Sequence, residues 1–277
     1  MSVSKSDLNE LEFLKELNQW SEGKPLSRVQ NQVLSEYESG WAEWEEYLLG
    51  CKTLQEWLYR QDTDCEPNTR IAEQYYAEPQ NTMTPKLRFI ESVLNKYFPS
   101  AQRVGEAGCG IGRNIHYLSD RYPQKSFCGL ELTTSGVKIA NAASKKFHLN
   151  AQFQQFDMLS RQNVSQELLG SADVLFTCFA LEQVSSNTEV AMERLLRITK
   201  QGLIHIEPVM ELYPPTLGGT VSAKMHKRAD YLKDFVATVC KLVQHRRVVI
   251  DYMGPAVFPI HAAHYPTLIV LRLPPGN

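Results

Sequence analysis

Apolar residues in the first sixty positions recur at the three- and four-residue spacing of amphipathic helices. Gly23-Lys24-Pro25 ends the first helical run, and a short last run follows at residues 54–58. Between them lies one long apolar stripe, formed by Val29, Val33, Tyr37, Trp41, Trp44 and Leu48. The pattern predicts a helical segment, whose aromatic stripe either packs against the following domain or covers a substrate pocket.

From residue 103 onward, strand-like and helix-like stretches alternate. The predicted strands are Arg103–Glu106, Ser126–Leu130, Ala151–Phe156, Asp173–Phe179 and Leu203–Glu207. The predicted helices between them are Asn114–Arg121, Ser135–Phe147, Gln166–Leu169 and Thr188–Thr199. Such alternation is typical of an α/β protein with a parallel sheet that is covered by helices on both faces.

The last part of the chain follows a different pattern. Residues 208–245 interrupt the alternation with a flexible Pro/Gly-rich start and a helix predicted over residues 229–243. Two further strands, Arg247–Tyr252 and Thr267–Leu273, then follow without a helix between them. We expect these two strands to form an antiparallel pair at the edge of the sheet.

Residues 61–85 are polar and bounded by prolines, which is typical of a linker. After Pro85 an apolar face predicts a helix that ends at Pro99. We therefore expect two units, a helical N-terminal cap over residues 1–80 and an α/β domain over residues 81–277.

The formal net charge of −2 conceals an uneven distribution. Residues 1–80 contain 16 Asp/Glu and 7 Lys/Arg, whereas the remainder contains 15 and 22, so the two units are expected to attract each other. Dense basic clusters typical of nucleic-acid binders are absent, as are Cys-x-x-Cys pairs and membrane-length apolar stretches. With a polar N-terminus that lacks a signal sequence, these features favour a cytoplasmic protein without a membrane partner, and they make a nucleic-acid partner the minority interpretation.

The most informative segment is Val104-Gly-Glu-Ala-Gly-Cys-Gly-Ile-Gly-Arg-Asn114. Its three glycines lie between a predicted strand and a predicted helix, where glycine lets the backbone approach a ligand and the helix N-terminus offers N–H donors. Glu106 precedes the glycines, while Glu131 and Asp157 end the next two strands. A carboxylate at the end of the second strand suits the hydroxyls of a ribose.

This arrangement resembles the cofactor site of class I S-adenosylmethionine-dependent methyltransferases, over roughly residues 85–277. The resemblance implies a Rossmann-like, seven-stranded mixed sheet with a C-terminal antiparallel hairpin, and S-adenosyl-L-methionine as cofactor. The residues that it implies as cofactor-binding are Glu106, Gly108, Gly110, Gly112, Asn114, Glu131, Leu132, Asp157, Met158, Phe179 and Tyr76.

By this resemblance Glu131 holds both ribose hydroxyls, and Asp157 faces the adenine amine while Met158 packs on its ring. Tyr76 belongs to a region that folds over the cofactor in many family members, although simple packing is an equal alternative. A dinucleotide-binding oxidoreductase shares the strand–loop–helix layout. The acid at Glu106, the lack of a second nucleotide-binding half and the final strand pair favour the methyltransferase.

The segment after the fourth strand departs from known methyltransferase motifs. It has no Asn/Asp-Pro-Pro-Tyr/Phe, which adenine or glutamine methylases use, and Gln183 replaces the histidine of the Leu-Glu-His found in many small-molecule enzymes. No set of metal ligands stands out, because His261 and His264 form only an isolated pair. No metal is therefore expected.

Methyl transfer requires orientation of the acceptor and, for some acceptors, a base. Residues just beyond the strand ends are the candidates, because such sheets bind ligands there; they are Glu182, Gln183, Glu207, Glu211 and Tyr213. Glu207 either reaches the pocket mouth or caps a neighbouring segment. His226, at the start of a predicted helix and beside Lys227-Arg228, is either a base in an anion clamp or part of a charged surface. The candidate catalytic residues are Glu207, His226 and Glu182.

Together these expectations describe a methyltransferase that acts on a small molecule, because a helical cap over the strand ends would enclose a pocket. A protein or RNA methyltransferase is the second hypothesis, and a non-catalytic cofactor-binding fold within a complex is the third. The sequence leaves open whether oxygen, nitrogen or carbon is methylated, and it leaves the oligomeric state open.

Overall fold

Helices make up most of the first half of the chain and surround a central sheet in the second half. The computed structural model describes residues 5–26, 30–160, 172–185 and 187–274. The helices in these ranges are α1 Lys5–Ser21, α2 Gln30–Gly40, α3 Ala42–Gly50, α4 Leu54–Leu58, α5 Gln61–Asp64, α6 Met83–Tyr97, α7 Arg113–Arg121, α8 Thr134–Lys146, α9 Thr188–Arg197, α10 Leu217–Ala229 and α11 Phe235–Gln244. Within this described part of the chain, no helix is both long enough and apolar enough to cross a bilayer.

The strands belong to one large sheet and two small ones. The large sheet contains β5 Arg103–Ala107, β6 Ser126–Glu131, β7 Ala151–Gln155, β8 Ala172–Cys178, β9 Thr199–Pro208, β10 Val249–Pro255 and β12 Pro266–Arg272. The small sheets contain β1 Cys65–Glu66, β2 Thr69–Ile71, β3 Gln74–Tyr76, β4 Gln80–Asn81 and β11 Ile260–His261.

The large sheet has the strand order β10-β12-β9-β8-β5-β6-β7. Strands β5 to β9 pair in parallel, whereas β12 pairs antiparallel with β9 and β10. Helices α6, α7 and α8 pack on one face, and α9 and α11 pack on the other, so the central strands are buried on both sides. The predicted Rossmann-like mixed sheet with a C-terminal antiparallel pair is confirmed.

The carboxyl ends of β5 and β8 form the position at which ligands bind in sheets of this kind. The chain proceeds from β5 to β6 and β7 in one direction, and then returns to add β8 and β9 on the other side of β5. The crevice between such neighbouring strands is not crossed by a connecting helix at its carboxyl end. The glycine segment after β5 and the residues after β8 therefore meet at one crevice.

The N-terminal part differs from its sequence prediction in two ways. The long apolar stripe is divided between α2 and α3, because the chain turns at Trp41; Val29 lies outside the described residues. Residues 61–85 form short structured elements rather than a plain linker. The hairpin of β2 and β3 pairs with β11 near the other end of the chain, a long-range contact that local polarity does not predict.

The helix predicted over residues 229–243 is observed as α11, Phe235–Gln244, which begins six residues later than predicted, and α10, Leu217–Ala229, precedes it in the stretch that was predicted to be flexible. The Thr216 side chain accepts a hydrogen bond from Gly219 N at 3.1 Å and so caps the start of α10. Asp230, in the left-handed conformation, ends the helix. A Cβ on Gly219 would lie 2.0 Å from the Pro214 oxygen, so this glycine permits close packing rather than flexibility. The predicted helix Gln166–Leu169 lies outside the described residues.

The acidic N-terminal helices contact the basic part of the chain through charged groups. Glu38 of α2 accepts hydrogen bonds from Thr134 N and Ser135 N, both at 2.9 Å, at the positive N-terminus of α8. One helical turn along, Lys138 forms an ion pair with Glu45 at 2.8 Å. These contacts have the sign that the charge distribution predicts, while the division into units at residue 80 stays a prediction.

Candidate active site

A cavity of about 280 Å³ lies at the carboxyl ends of β5 and β8. Most of the predicted cofactor residues line it, namely Glu106, Gly108, Gly110, Asn114, Glu131, Leu132, Met158 and Phe179. Asp157 lines an adjoining cavity of about 290 Å³, which also contacts Gly108, Leu132 and Met158. The ends of four strands, β5, β6, β7 and β8, therefore contribute to one continuous region around the glycine segment.

Two predicted residues lie elsewhere. Gly112 is the N-cap residue of α7, and a Cβ on it would meet Phe153 of β7 and Ala140 of α8, so its small size permits close packing against these two elements. Tyr76 lies in β3, where it is paired with Thr69, and it is not among the residues that line either cavity. This position favours the packing alternative for Tyr76, because the hairpin of β2 and β3 joins β11.

The glycine loop is shaped by positive φ angles and by close neighbours. Gly108 has φ +72° and Gly110 has φ +53°, a region in which residues with a Cβ are disfavoured. A Cβ on Gly108 would lie 2.3 Å from the Ala180 Cβ, so the loop passes directly against the segment after β8. Gly108 N also donates to Leu130 O at 2.7 Å, which fixes the loop to β6.

Glu131 is buried and holds the glycine loop in place. Its Oε2 accepts from Gly110 N at 2.8 Å, and its Oε1 accepts from Thr133 N at 3.0 Å and from Thr133 Oγ1 at 2.8 Å. A carboxylate offers about four lone-pair positions. These three hydrogen bonds leave about one further position, on Oε2, so the described geometry suits one ribose hydroxyl rather than both.

Glu106 and Asn114 present unsatisfied acceptors to the same cavity. The Asn114 Nδ2 donates to Glu106 Oε1 at 2.7 Å, whereas Glu106 Oε2 and Asn114 Oδ1 are buried and have no hydrogen-bond partner among the described residues. Two neighbouring acceptors without a donor cost free energy, which is relieved either by a proton on Glu106 or by a donor from a ligand. An ammonium group, with three N–H donors and a positive charge, fits this position.

Residues 104–202 match the family model of a methyltransferase domain. This match contains the glycine loop and the three acids that line the two adjoining cavities, Glu106, Glu131 and Asp157. This match identifies residues 104–202 as a methyltransferase domain. S-adenosylmethionine, the cofactor that the resemblance implies, carries an ammonium on its methionine part, and this group has the chemistry that Glu106 and Asn114 require.

Solved structures with this fold cover nearly the whole chain. One of them is the magnesium protoporphyrin IX methyltransferase ChlM from Synechocystis PCC 6803 with bound SAH, which is 15% identical to this chain at a TM-score of 0.58. The superposition covers 89% of this chain and 100% of the ChlM chain. The plantazolicin methyltransferase BpumL, in complex with a pentazolic desmethylPZN analog and SAH, is 12% identical at a TM-score of 0.52 and covers 95% and 98%. At these identities the similarity establishes the fold alone. Among curated proteins, none matches this sequence.

Because Glu106 is buried, the free energy of unfolding of the methyltransferase depends on pH. Burial raises the pKa of Glu106 to about 8, with the Asn114 hydrogen bond and the charge of Lys86 opposing the shift. An unfolded glutamate ionises near pH 4.3. Between these two values the folded state holds a proton that the unfolded state has released, so the free energy of unfolding falls as pH rises.

We expect Glu106→Gln to reduce the fall in stability between pH 7 and 8. Ionisation of one buried acid changes the free energy of unfolding by up to about 1.4 kcal/mol per pH unit. The buried histidines are neutral in the folded state and titrate below this window. Urea unfolding of the ligand-free protein and of the variant at both pH values measures the difference. The same slope in both proteins would contradict the assignment to Glu106.

Glu207 does not reach the mouth of the cavity. Its side chain is fully buried, and it accepts hydrogen bonds from Ala180 N and Leu181 N at 3.1 Å and from Glu182 N at 3.4 Å. Burial raises its pKa to about 7, while these N–H groups lower it. The prediction of Glu207 as a catalytic residue is corrected to a positioning role, because it holds the segment that faces the glycine loop.

His226 lies in the last turn of α10 and is buried, which corrects the prediction of a helix start and of a charged surface. Its Nε2 is 2.8 Å from Tyr213 Oη, and its Nδ1 is buried with no partner among the described residues. Burial lowers the pKa of His226 to about 3, so the ring is neutral. Arg228 is directed away, over the ring of Trp20 at 3.9 Å. No anion clamp is formed by these two residues.

The structure also shows cavity residues that the sequence analysis did not identify. Lys86 and Met83 of α6 line the cofactor cavity, as do Val33, Tyr37, Trp41 and Trp44 of the N-terminal helices. For the latter four, the aromatic stripe was a usable signal, since it left a pocket cover as one alternative. Phe179 has φ +56°, which is rare for a bulky residue and is typical of functional segments.

Proposed function

We propose that this methyltransferase acts on a small-molecule acceptor. The observation that carries the proposal is a second cavity of about 340 Å³ beside the cofactor cavity. Phe179 lines the cofactor cavity, and its ring centroid is 6.4 Å from that of Phe258 and 6.2 Å from that of His264, both of which line the second cavity. Phe179 thus adjoins residues of both cavities, so the second cavity lies next to the cofactor cavity.

The size and lining of the second cavity suit a small organic molecule. Its volume is within the lower range of ligand pockets, and its walls are mainly apolar, with Leu212, Met253, Phe258 and Ile260 among them. Arg70 also lines this cavity, and its guanidinium forms an ion pair with Glu10 of α1 at 2.8 Å. The cavity therefore has apolar walls with a few polar groups to orient a ligand.

The charges around the two cavities support this proposal over an RNA acceptor. Arg70 is paired with Glu10, and Arg113 of the cofactor cavity is paired with Asp64. Binding of a nucleic acid depends on cations that neutralise many phosphates. A protein acceptor would require an open groove, whereas the hairpin of β2 and β3 contributes Arg70, Ala72 and Glu73 to the wall of the second cavity.

The test of the proposed function follows the methyl group. The full-length protein is incubated with a metabolite extract and methyl-labelled S-adenosylmethionine, and the label is measured in small-molecule and macromolecular fractions by mass spectrometry. We expect the label in the small-molecule fraction. Label confined to protein or RNA would overturn the proposed acceptor class, and no transfer despite binding of the cofactor would favour a non-catalytic role.

A substitution that fills the second cavity tests its role directly. We expect Met253→Trp to lower turnover of the identified acceptor at least about tenfold, because one large ring occupies much of a pocket of this size. Affinity for S-adenosylhomocysteine, measured by calorimetry, should not change. Ile250→Trp is the matched control, since Ile250 lies in the same strand, is exposed and does not line the cavity. Equal turnover in both variants would place the acceptor elsewhere.

A further inference from the structure

Three side chains from distant parts of the chain converge beside the two cavities. Glu182 lies in the turn after β8, His226 in α10 and His264 between β11 and β12. One potential ligand atom from each lies within 4.8 Å of those of the other two. We propose that Glu182, His226 and His264 bind a divalent transition-metal ion, with Zn²⁺ as the best fit, and that an acceptor oxygen occupies its open position. This inference rests on the proposed function, because it assigns the chemistry of the acceptor.

The donor set favours particular ions. Two imidazoles and one carboxylate suit Zn²⁺ and related transition metals, whereas Mg²⁺ and Ca²⁺ prefer oxygen ligands alone. Zinc sites with three protein ligands commonly leave a fourth position for water or substrate. A hydroxyl, phenol or carboxylate oxygen is a ligand of that kind. The acceptor class that follows from the cluster is therefore an oxygen-bearing small molecule.

The surroundings of the two histidines support coordination. The Nδ1 atoms of His226 and His264 are buried, and neither has a hydrogen-bond partner among the described residues. The other nitrogen of His226 is 2.8 Å from Tyr213 Oη. A histidine that ligates a metal usually donates its second N–H to such a partner, which fixes the ring and directs the free lone pair to the metal. Coordination would also satisfy nitrogens whose burial otherwise costs free energy.

The cluster occupies the wall between cofactor and acceptor cavities. Gln183, next to Glu182, lines the cofactor cavity, and His264 lines the second cavity. Glu182 Oε1 accepts from Gln183 Nε2 at 2.9 Å, so the carboxylate is linked to the cofactor side. An ion held here would fix an acceptor oxygen next to Phe179 and hence next to the transferred methyl group. Orientation of this kind is a large part of what a methyltransferase supplies.

Metal binding can be measured without activity. The full-length protein is stripped with a chelator and titrated with Zn²⁺ by calorimetry, while Co²⁺ is used to record visible absorption and bound metal is counted by elemental analysis. All variants carry Cys240→Ser, because the exposed thiol of Cys240 could bind metal by itself. We expect one ion per chain in this background. His264→Ala and Glu182→Gln should abolish stoichiometric binding.

Two further variants separate coordination from structural effects. Tyr213→Phe keeps the ring but removes the hydroxyl that faces His226, and we expect an affinity loss of about 10- to 100-fold. His261→Ala is the matched control, because His261 is close to His264, with ring centroids 6.1 Å apart, but lies outside the cluster. His261→Ala should bind Zn²⁺ like the parent protein.

The possible failures can be distinguished. Absence of one bound ion per chain, or its retention in the double variant His226→Ala/His264→Ala, overturns the metal site. Binding of S-adenosylhomocysteine and labelling of a small molecule in the same preparations would then leave the proposed function intact. Zn²⁺ binding with label confined to macromolecules would instead overturn the small-molecule acceptor and the assigned ligand of the open position.

Discussion

Glu131→Ala is expected to lower the affinity for S-adenosylhomocysteine by about 10- to 100-fold. The structure leaves about one acceptor position on Glu131 Oε2 for a ribose hydroxyl, since Gly110 and Thr133 already occupy the others. A hydrogen bond to a charged acceptor contributes about 1.5–3 kcal/mol. The variant also removes the acceptor of Gly110 N. The glycine loop should then be less ordered, which lowers the affinity further.

Calorimetry on the full-length protein measures this effect, and urea unfolding shows whether the variant remains folded. Glu189→Ala is the control, because it removes an acid of the same kind from an exposed ion pair with Lys241 and should leave the affinity unchanged. An unchanged dissociation constant in folded Glu131→Ala would show that the ribose is held by other residues. The register that aligns Glu131 with the glycine loop would then be wrong.

The fold was predictable because its signals are local and strong. The parallel strands are continuous apolar runs between helical stretches, and the observed β8, Ala172–Cys178, overlaps the predicted Asp173–Phe179 closely. The glycine segment is recognisable because its backbone requires glycine: Gly108 and Gly110 adopt positive φ where the loop meets Ala180 and Trp41. Patterns of this kind depend on a few neighbouring residues, so one sequence contains them in full.

The parts that could not be predicted depend on contacts between distant residues. The hairpin of β2 and β3 is stabilised by pairing with β11, so residues 61–85 read as a polar linker when taken alone. Glu207 looks accessible as a strand end, but three backbone N–H groups of the segment after β8 surround its carboxylate. Both errors have the same cause, which is that the sequence does not state which elements lie beside each other.

The convergence of Glu182, His226 and His264 is the clearest case of this limit. The spacing rules for metal sites depend on ligands that are close in sequence, such as two histidines on one helix face. Here each residue comes from a different element, and only the packing of α10 and of the segment before β12 brings them together. His264 is close to His261 along the sequence, whereas the residues that share its cluster in the structure are Glu182 and His226.

Trp41→Ala is expected to weaken cofactor binding by about thirtyfold. The aromatic stripe is predicted either to pack against the following domain or to cover a substrate pocket, but Trp41 lies over the glycine loop, where a Cβ on Gly110 would be 2.9 Å from its ring. Its indole Nε1 is buried and has no acceptor among the described residues, and the ring lines the cofactor cavity. Trp41 as a whole is partly buried. Truncation of a tryptophan that packs at a binding site commonly costs about 2 kcal/mol or more, which corresponds to about thirtyfold in affinity.

A point substitution tests this better than deletion of residues 1–60. Deletion would also remove Trp57, which is fully buried and donates from Nε1 to His116 Nδ1 at 2.9 Å, so the remaining protein would lose part of its core. Trp20→Ala is the matched control, because Trp20 is 42% exposed, lies in α1 and does not line the cofactor cavity. If calorimetry gives Trp41→Ala and Trp20→Ala the same affinity for S-adenosylhomocysteine as the parent, the aromatic stripe of α2 and α3 serves packing alone. A thirtyfold loss confined to Trp41→Ala would instead make the N-terminal helices part of the cofactor site.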